Sequence, residues 1–317
     1  MKIYSIENEF IKVDFLTKGA TIVSIVKKEN QSEYILSYKD MEDYTHNEYY
    51  LGATAGRNAG RTFPTEYVDY YGKVKKLLPN ENRVYLHGGE RGYSTVEWNL
   101  IIKQDDFAIL EYVDRDSDYV EATIFIIYEL IDNNFVIRYL ASSEIPTIFN
   151  LTNHSYFNLN QQEEATIEGH YLKIDSSELQ LVDDEFVPTG EYSDMKEQYN
   201  NFNFAEFKKI KEAFNGNNDL GEKCKGGIDL AYCFKNIDVK NPKIELWSEN
   251  KENGLQIFTN QESCVVYTLN KLSKNILDFN QYQGITFEMQ RRPNYIHLLN
   301  SEYLEKNYYN YIRYKIL

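Results

Sequence analysis

Short stretches in which apolar and polar residues alternate recur along most of this 317-residue chain. Three of them, 106–114, 120–131 and 134–144, follow one another with short polar breaks that contain Asp and Asn. Four later stretches are rich in Val, Ile, Thr and aromatic residues, at 243–248, 254–260, 264–270 and 284–290. Alternation with period 2 is typical of strands, and strands this close in sequence favour an antiparallel meander. The chain is therefore predicted to be all-β, a sandwich or a barrel.

One segment, NFAEFKKIKEAF at 203–214, has helical periodicity instead. Its apolar residues recur at intervals of three or four and would share one face of a helix. They are Phe204, Phe207, Ile210 and Phe214. Asn203 is a suitable N-cap, and NGNND at 215–219 would end the helix. We therefore predict a short helix over 203–214, in a polar insertion between strands.

No feature of the chain marks a boundary between domains. The six prolines are scattered, no Gly/Ser-rich linker or low-complexity tract is present, and no internal repeat recurs at a fixed period. Large β-sandwiches often reach this length as one unit. We therefore predict a single domain over residues 1–317, mostly strand with a few short helices.

The net charge and the N-terminus limit the partners and the location. The formal net charge is −15, from 49 acidic and 34 basic residues, so the surface repels phosphate backbones and anionic headgroups. The first ten residues, MKIYSIENEF, lack the apolar centre of a signal peptide, and no apolar run reaches the length of a membrane span. We expect a cytoplasmic protein with no nucleic-acid partner and no membrane.

The cysteines give no sign of a metal centre or of a disulfide framework. Cys224, Cys233 and Cys264 form no C-x-x-C pair, and their number is odd. No cluster of His, Cys and Asp has metal-ligand spacing along the chain. The sequence therefore predicts no bound metal.

Five stretches interrupt the strand patterns with polar or glycine-rich residues: GATAGRNAGRTF (52–63), LHGGERGY (86–93), NLTNHSYFNL (150–159), GGIDLAY (226–232) and GITFEMQRRPN (284–294). Four of them offer a side chain suited to a sugar hydroxyl, which both donates and accepts hydrogen bonds. These side chains are Arg61, His87, Asp229 and Glu288, and NLTNHSYFNL adds His154. Aromatic residues such as Tyr93 would cover the apolar faces of a sugar ring.

Each stretch alone also has a structural interpretation. GRNAGR can form a bent turn whose arginines pair with carboxylates, HGG can form a turn with an exposed histidine, and Glu288 can face water from a strand. His154 can be either a buried structural histidine or a general acid. Single motifs of this length are weakly specific, so their order along the chain carries more information.

Taken in order, the motifs resemble those of the aldose 1-epimerase, or galactose mutarotase, family. The series is GRNAGR, LHGG with Gly92 and Trp98, NLTNHSYFNL, FVPTGEY (186–192), GGIDLAY and FEMQRRP. The N-terminal stretch ENEFIKVDFLTKGATIVSI is also similar to that family's opening strands. The resemblance extends over nearly the whole chain, and NHSYFNL is its most specific part.

The resemblance implies a large, mostly antiparallel β-sandwich, the galactose mutarotase-like supersandwich. It also implies an isomerase that interconverts the α and β anomers of a free hexose, such as galactose or glucose, without a metal or organic cofactor. Carried over motif by motif, His154 is the general acid and Glu288 the general base. Arg61, His87 and Asp229 bind the sugar hydroxyls. We expect a monosaccharide as the partner, and a monomer or a homodimer.

The chemistry explains why an acid and a base are needed. Opening a hemiacetal removes a proton from the anomeric hydroxyl and delivers one to the ring oxygen. Nearby carboxylates favour protonated His154 at neutral pH, whereas burial opposes it. In this interpretation Asn153 and Ser155 orient the ring of His154, and Tyr156 and Phe157 anchor the strand.

Some positions depart from the family's pattern and leave the preferred sugar open. Gly60 stands where many relatives have Asn, and Val265 where some have a glutamine that binds substrate. Arg292 would either meet an anionic group such as a phosphate or, as we favour, pair with surface acids. The alternatives are therefore a mutarotase that acts on a sugar phosphate and a non-catalytic sugar-binding or sensing protein on the same fold.

Overall fold

The computed structural model describes residues 1–160, 165–214, 216–272, 279–298 and 303–317. In the first half of the chain, the strands are β1 (Ile3–Glu7), β2 (Ile11–Leu16), β3 (Thr21–Lys27), β4 (Ser32–Glu33), β5 (Thr54–Ala55), β6 (Arg61–Thr62), β7 (Glu66–Val68), β8 (Val74–Lys76), β9 (Tyr85–Leu86), β10 (Asn99–Lys103), β11 (Phe107–Asp114), β12 (Ala122–Ile131) and β13 (Asn134–Thr147).

The second half continues with β14 (Thr152–Asn153), β15 (Tyr156–Phe157), β16 (Tyr171–Ile174), β17 (Ser176–Val182), β18 (Pro188–Ser193), β19 (Lys208–Lys209), β20 (Asp229–Phe234), β21 (Ile244–Trp247), β22 (Gly254–Thr259), β23 (Ser263–Tyr267), β24 (Ile285–Gln290) and β25 (Glu305–Ile316). The helices are short. They are α1 (Asp219–Lys223), α2 (Tyr295–Leu298) and 3₁₀ helices at Met41–His46, Gly89–Arg91, Glu197–Phe202 and Ile210–Ala213.

Three sheets form most of the structure. The largest has nine strands in the order β10-β11-β12-β13-β25-β22-β21-β16-β19, the second has six in the order β15-β24-β23-β20-β17-β18, and the third contains β1 to β4. The predicted meander is confirmed, because β11, β12 and β13 pair antiparallel in sequence order. All seven stretches predicted as strands are strands. The fold is thus the mostly antiparallel β-sandwich that the sequence indicated.

The alternation in the sequence matches burial in the long strands. Along β12, buried residues alternate with partly exposed ones over nine consecutive positions, from Ala122 to Leu130. The buried face belongs to one hydrophobic cluster to which all three sheets contribute, for example through Phe15, Ile126 and Phe287. Full burial of such a side chain contributes roughly 1.5–3 kcal/mol, so this shared core holds the sheets together.

The predicted helix over 203–214 is wrong. Lys208–Lys209 form β19, the edge strand beside β16, and only Ile210–Ala213 turn as a 3₁₀ helix. The carbonyl oxygen of Phe204 accepts a hydrogen bond from Ile174 N at 2.8 Å. Backbone pairing with β16 thus prevails over the weak local preference for a helix. The Asn203 side chain accepts from Ala205 N and makes a local turn instead of a helix cap.

Within the described residues, no helix is long and apolar enough to cross a bilayer.

The six-stranded sheet forms the floor of a cavity. Four residues of its central strands lie in one row across the sheet: Glu288 on β24 pairs with Val265 on β23, Val265 with Ala231 on β20, and Ala231 with Gln180 on β17. Side chains on one face of a sheet point the same way, and all four line the cavity. The opposite face of β24 contributes residues to the hydrophobic core.

Candidate active site

A cavity of about 350 Å³ is lined by all five residues that the sequence singled out. Four of them are nearly inaccessible: His154 is 4% exposed, Glu288 3%, His87 6% and Asp229 8%. Arg61 is the fifth. The volume lies in the range of small-molecule sites. Residues as distant in sequence as Arg61 and Glu288 therefore meet in one pocket.

His154 is positioned by the backbone on both sides of it. The preceding strand β14 pairs with β5, and the following strand β15 pairs with β24. His154 N donates to the carbonyl oxygen of Ala53 at 2.9 Å, and Gly52 N donates to the carbonyl oxygen of His154 at 3.1 Å. The polar run NLTNHSYFNL thus places the imidazole at a junction between two sheets, facing β24.

The ring of His154 is not oriented by its polar neighbours, contrary to the prediction. Asn153 Oδ1 accepts from Ser155 N, and Asn153 Nδ2 donates to the carbonyl oxygen of Gly52, so this amide holds the backbone. The hydroxyl of Ser155 and Nδ1 of His154 have no hydrogen-bond partner among the described residues. The imidazole is instead held by aromatic neighbours.

Three aromatic rings lie close to the imidazole. The ring centroid of His154 lies 5.2 Å from that of Tyr156, 5.5 Å from that of His87 and 5.6 Å from that of Tyr50. Contacts of this kind fix the plane of a ring without occupying its nitrogens. Nε2 of His154 is therefore left to face the carboxyl group of Glu288.

Glu288 faces the pocket from a strand that is buried on both faces. All six residues of β24 are buried, and Phe287 and Met289 pack in the hydrophobic core. Strand alternation therefore turns Glu288 to the opposite face. Its Oε1 lies 3.5 Å from His154 Nε2, and its Oε2 lies 3.8 Å from His87 Nε2.

A short hairpin brings Arg61 and His87 together. Strand β6 pairs with β9 so that Arg61 lies opposite Leu86, the residue before His87. Arg61 makes a two-point ion pair with Glu81, with Nε 2.6 Å from Oε2 and Nη2 3.1 Å from Oε1. Its Nη1 lies 3.8 Å from Asp229 Oδ1. The guanidinium thus has its position fixed by Glu81 and a third nitrogen directed at Asp229.

The hydrogen bond to Gly60 determines which nitrogen of His87 carries the proton. Nδ1 accepts from Gly60 N at 3.2 Å. Burial lowers the pKa of His87 well below its ordinary value, and the adjacent His154 and Arg61 add to this, so the ring is neutral. A neutral imidazole has one donor and one acceptor, so Nε2 is the donor and points toward Glu288.

Three of the site residues form a cluster that spacing along the chain did not reveal. Ligand atoms of His87, His154 and Glu288 all lie within 4.8 Å of one another, a spacing at which such groups can hold a metal ion. Nε2 of His87 carries a proton, however, and a protonated ring nitrogen has no lone pair for a metal. This donor set suits a sugar oxygen better than a metal ion.

Asp229 is the anionic partner at the other end of the pocket. It is the first residue of β20, and its Oδ2 lies 2.9 Å from Lys271 Nζ. Burial favours the protonated acid, but the charges of Arg61 and Lys271 outweigh it and hold the pKa of Asp229 below its ordinary value. Asp229 is therefore an ionised acceptor.

Burial decides which of the two residues, His154 or Glu288, carries the proton that they share. Burial raises the pKa of Glu288 to about 8; the charge of Asp229 adds to the rise, and Arg61 opposes it. Burial lowers the pKa of His154 to about 4, against the effect of Asp229. Of the two opposing effects that the sequence left open for His154, desolvation therefore outweighs the carboxylates, and the free imidazole is neutral at neutral pH. Between the two values the pair holds one proton, which lies on Glu288.

Sequence reasoning misplaced one aromatic residue and missed several polar ones. Tyr93 is fully buried in the core, where its hydroxyl contacts Arg57 and Asp114, and it does not line the pocket. The aromatic residues that do are Tyr49, Tyr50, Tyr156, Phe186 and Tyr267. Glu81, Gln180 and Lys271 also line it, and no motif in the sequence points to them.

Arg292 lies outside the pocket, as the favoured interpretation predicted. Its guanidinium is 3.4 Å from Glu178 and 3.6 Å from Glu262. Arg291 contacts Glu305. Both arginines that follow β24 are therefore paired with carboxylates.

Comparison with known proteins identifies relatives of the same kind over the whole chain. The sequence model of the family described as aldose 1-epimerase matches residues 2–304. Human galactose mutarotase is 27% identical over 307 residues, which cover 92% of this chain and 85% of that protein. The aldose 1-epimerase of Haemophilus influenzae is 30% identical over 305 residues, or 92% of this chain and 87% of that protein.

The fold agrees with a solved structure of a similar protein. The galactose 1-epimerase of Lactobacillus acidophilus superposes with a TM-score of 0.87 at 26% sequence identity. The superposition covers 99% of this chain and 93% of that one.

Proposed function

We propose that this chain, a member of the aldose 1-epimerase family and an isomerase of that type, interconverts the anomers of an unphosphorylated hexose such as galactose or glucose. His154 and Glu288 are the residues that it uses for this reaction. Arg61, His87 and Asp229 hold the sugar by its hydroxyls. The observation that carries the proposal is the 3.5 Å approach of His154 Nε2 to Glu288 Oε1 at the buried end of the pocket.

The open spacing of the polar pairs supports a sugar as the ligand. The His154–Glu288, His87–Glu288 and Arg61–Asp229 pairs are separated by 3.5, 3.8 and 3.8 Å, beyond good hydrogen-bond length. A hydroxyl both donates and accepts, so one sugar oxygen can bridge each pair.

In the reaction, one residue of the His154–Glu288 pair acts as the acid and the other as the base. Glu288, as carboxylate, takes the proton from the C1 hydroxyl while His154, as imidazolium, gives its proton to the ring oxygen. The bond between C1 and the ring oxygen breaks, and C1 becomes an aldehyde carbon. After rotation about the C1–C2 bond, the reverse transfers close the ring on the other face. Catalysis of this kind contributes about a hundred- to ten-thousand-fold per positioned group.

The count of protons is conserved through this cycle. The pair starts with one proton on His154 and holds one on Glu288 while the sugar is open. The pKa values of about 4 for His154 and about 8 for Glu288 favour that second arrangement before the sugar binds. The sugar hydroxyl that binds beside Glu288 has to stabilise the carboxylate, and His87 Nε2–H supports it from the other side.

The charges in the pocket favour a neutral sugar over a sugar phosphate. Four acidic side chains line the pocket, Glu48, Glu81, Asp229 and Glu288, and the proton on Glu288 leaves that one neutral before the sugar binds. Its two cationic side chains within the described residues, Arg61 and Lys271, are already within ion-pair distance of carboxylates. A phosphate would therefore meet net negative charge and no uncompensated cation.

The experiment that tests the function follows the optical rotation of freshly dissolved α-glucose and α-galactose. The protein is expected to accelerate the approach to equilibrium for at least one of them, and to do so equally after exhaustive chelation. Glucose 6-phosphate is expected to be the poorer substrate. Absence of acceleration with every sugar tested would favour a binding protein, and recovery of a chelated sample only with a divalent ion would refute the metal-free mechanism.

The pH dependence is expected to be bell-shaped, with limbs near the two pKa values. Below about 4 both His154 and Glu288 are protonated and the base is lost; above about 8 neither is, and the acid is lost. The check is kcat/KM against pH, corrected for the reaction in buffer alone. An activity that keeps rising well above pH 8 would contradict the role given to Glu288.

A further inference from the structure

We infer that Lys271 is a specificity-determining residue that binds a sugar hydroxyl adjacent to the one held by Asp229. This inference rests on the proposed function and deepens it: the two residues form a donor–acceptor pair for two neighbouring hydroxyls of the ring. A substrate that lacks one of these hydroxyls is rejected at this end of the pocket.

The position of Lys271 is fixed by its backbone. Lys271 N donates to the hydroxyl of Tyr267 at 3.1 Å, and that hydroxyl donates to the carbonyl oxygen of Lys271 at 3.3 Å. The Tyr49 hydroxyl is 3.4 Å from the same carbonyl oxygen. Both tyrosines line the pocket, so the backbone of Lys271 is tied to the pocket wall.

The ammonium group is also held in place. Nζ lies 2.9 Å from Asp229 Oδ2 and 3.2 Å from the ring centroid of Phe186. A cation on an aromatic face is attracted to the ring and loses water there. Lys271 thus presents its charge at the pocket wall from a defined place, with its ammonium group over the ring of Phe186.

The ammonium group of Lys271 has N–H donors left for a ligand. An ammonium group has three N–H donors, and the structure pairs one of them with a carboxylate, Asp229, among the described residues. The Lys271 side chain is 25% exposed, so its remaining donors are accessible. A hydroxyl oxygen in the pocket is a suitable acceptor for them.

The second half of the pair is Asp229 Oδ1. Its neighbour Arg61 Nη1 lies 3.8 Å away, too far for a direct hydrogen bond, so Oδ1 remains an acceptor for a hydroxyl. Oδ2 of the same carboxylate contacts Lys271. A carboxylate oxygen and an ammonium group so close together match two adjacent hydroxyls, one donating to Asp229 and one accepting from Lys271.

The competing explanation is that Lys271 only neutralises Asp229 and holds it in place. In that case a substitution of Lys271 would lower kcat/KM by the same factor for every sugar. Direct contact predicts instead that the loss disappears when the contacted hydroxyl is removed from the sugar, because the two changes then delete one interaction.

The test compares five proteins on the best hexose and on its 2-, 3-, 4- and 6-deoxy analogues. They are the wild type, Lys271→Met, Lys271→Gln, Asp229→Asn and the control Lys209→Met. The Lys209 side chain is similarly accessible, at 27% exposure, and pairs with Glu249; neither residue lines the pocket. Lys271→Met keeps the aliphatic part of the side chain, and Lys271→Gln restores one neutral donor.

Lys271→Met is expected to lower kcat/KM on the parent sugar at least about tenfold, the usual weight of a charge-assisted hydrogen bond. The loss should shrink to less than about threefold on the one deoxy sugar that lacks the hydroxyl bound by Lys271. The loss caused by Asp229→Asn should shrink in the same way on the deoxy sugar that lacks the hydroxyl at an adjacent ring position. Lys271→Gln should recover part of the activity, and Lys209→Met should match the wild type.

Equal losses with Lys271→Met on every analogue, or a coupled position that is not adjacent to that of Asp229, would overturn the inference. If Lys271→Met does not fold, Lys271→Gln is read by the same criterion. A wild type that accelerates mutarotation of no sugar would refute the proposed function itself, whereas an active wild type with uncoupled Lys271 variants would refute only this pair.

Discussion

Glu288→Gln is expected to reduce turnover at least about a hundredfold while the protein stays folded. Glutamine keeps the size of the side chain and can still accept hydrogen bonds, but it cannot take the proton from the C1 hydroxyl. Since Glu288 is the carboxylate facing both His154 and His87, no other group in the described pocket is placed to replace it. The loss should therefore fall on kcat as well as on kcat/KM.

The measurement is polarimetric kinetics of Glu288→Gln beside a matched control, Glu262→Gln. Glu262 lies outside the pocket and contacts Arg292, so its amide variant should retain wild-type turnover. A folded Glu288→Gln protein with turnover within a fewfold of wild type would show that another group is the base.

The same substitution should stabilise the fold at alkaline pH. The pKa of Glu288 is raised from 4.5 to about 8 by burial, so the folded protein holds this proton more tightly than the unfolded chain. The stability that the Glu288 proton contributes is therefore fully present below pH 4.5 and is lost as the pH rises to about 8. Glu288→Gln lacks this decline.

Denaturant unfolding of the two proteins across that interval checks this. The difference in unfolding free energy should grow in favour of Glu288→Gln by at least about 1 kcal/mol, since each pKa unit corresponds to about 1.4 kcal/mol. A difference that does not change with pH would mean that the Glu288 carboxyl is solvated like an ordinary surface acid. Such a result would remove the basis for the alkaline limb as well.

The strands could be predicted because their signal is local. A strand with one buried face repeats every two residues, and β11, β12 and β13 show that repeat over their full lengths. The helix at 203–214 failed because its apolar spacing is also local, whereas the deciding contact is not. Strand β16 has an open edge, and Lys208–Lys209 pair with it. Which segment fills an edge is decided by tertiary structure.

The members of the site could be predicted only in part. The five residues were assigned by motif resemblance, and the structure brings them into one pocket. Lys271 was missed because nothing near it in sequence marks it; its place depends on Asp229 and Phe186, both distant in the chain. The protonation state of His154 could not be predicted, because the sequence shows the opposing effects of carboxylates and burial but not the extent of burial, which decides the pKa.

The two arginines of GRNAGR illustrate the same limit. Arg61 lines the pocket, whereas Arg57 is 1% exposed in the core and is bound by Asp114 and Tyr93. Both residues follow Ala–Gly in the stretch AGRNAGR, so their local sequences are nearly the same. Only the partners that the fold brings to them separate a structural arginine from one that faces a ligand.

His154→Asn is the second substitution for which a large effect is expected. Asparagine cannot carry the proton that the ring oxygen requires, so turnover should fall at least about a hundredfold. A suitable control exists within the chain, because His170 is a buried histidine of the structural kind. Its Nε2 accepts a hydrogen bond from Leu159 N at 2.9 Å, and it lies outside the pocket.

The two histidines should therefore respond in opposite ways. His170→Asn removes a buried acceptor and should lower the unfolding free energy by about 1–3 kcal/mol with turnover little changed. His154 makes no such bond, since its Nδ1 is unpaired among the described residues and its Nε2 faces only Glu288 at 3.5 Å. His154→Asn should thus lower turnover with little loss of stability, measured by polarimetry and denaturant unfolding.

Combining His154→Asn with Glu288→Gln tests whether the two residues act as a unit. If one proton passes within the pair, removal of either partner already stops the cycle, and the second substitution has little left to remove. The double variant should then be within about tenfold of the slower single variant, far from the product of the two losses. Multiplicative losses would mean that His154 and Glu288 act in separate steps. A folded His154→Asn protein with near-normal turnover would make this histidine structural, like His170.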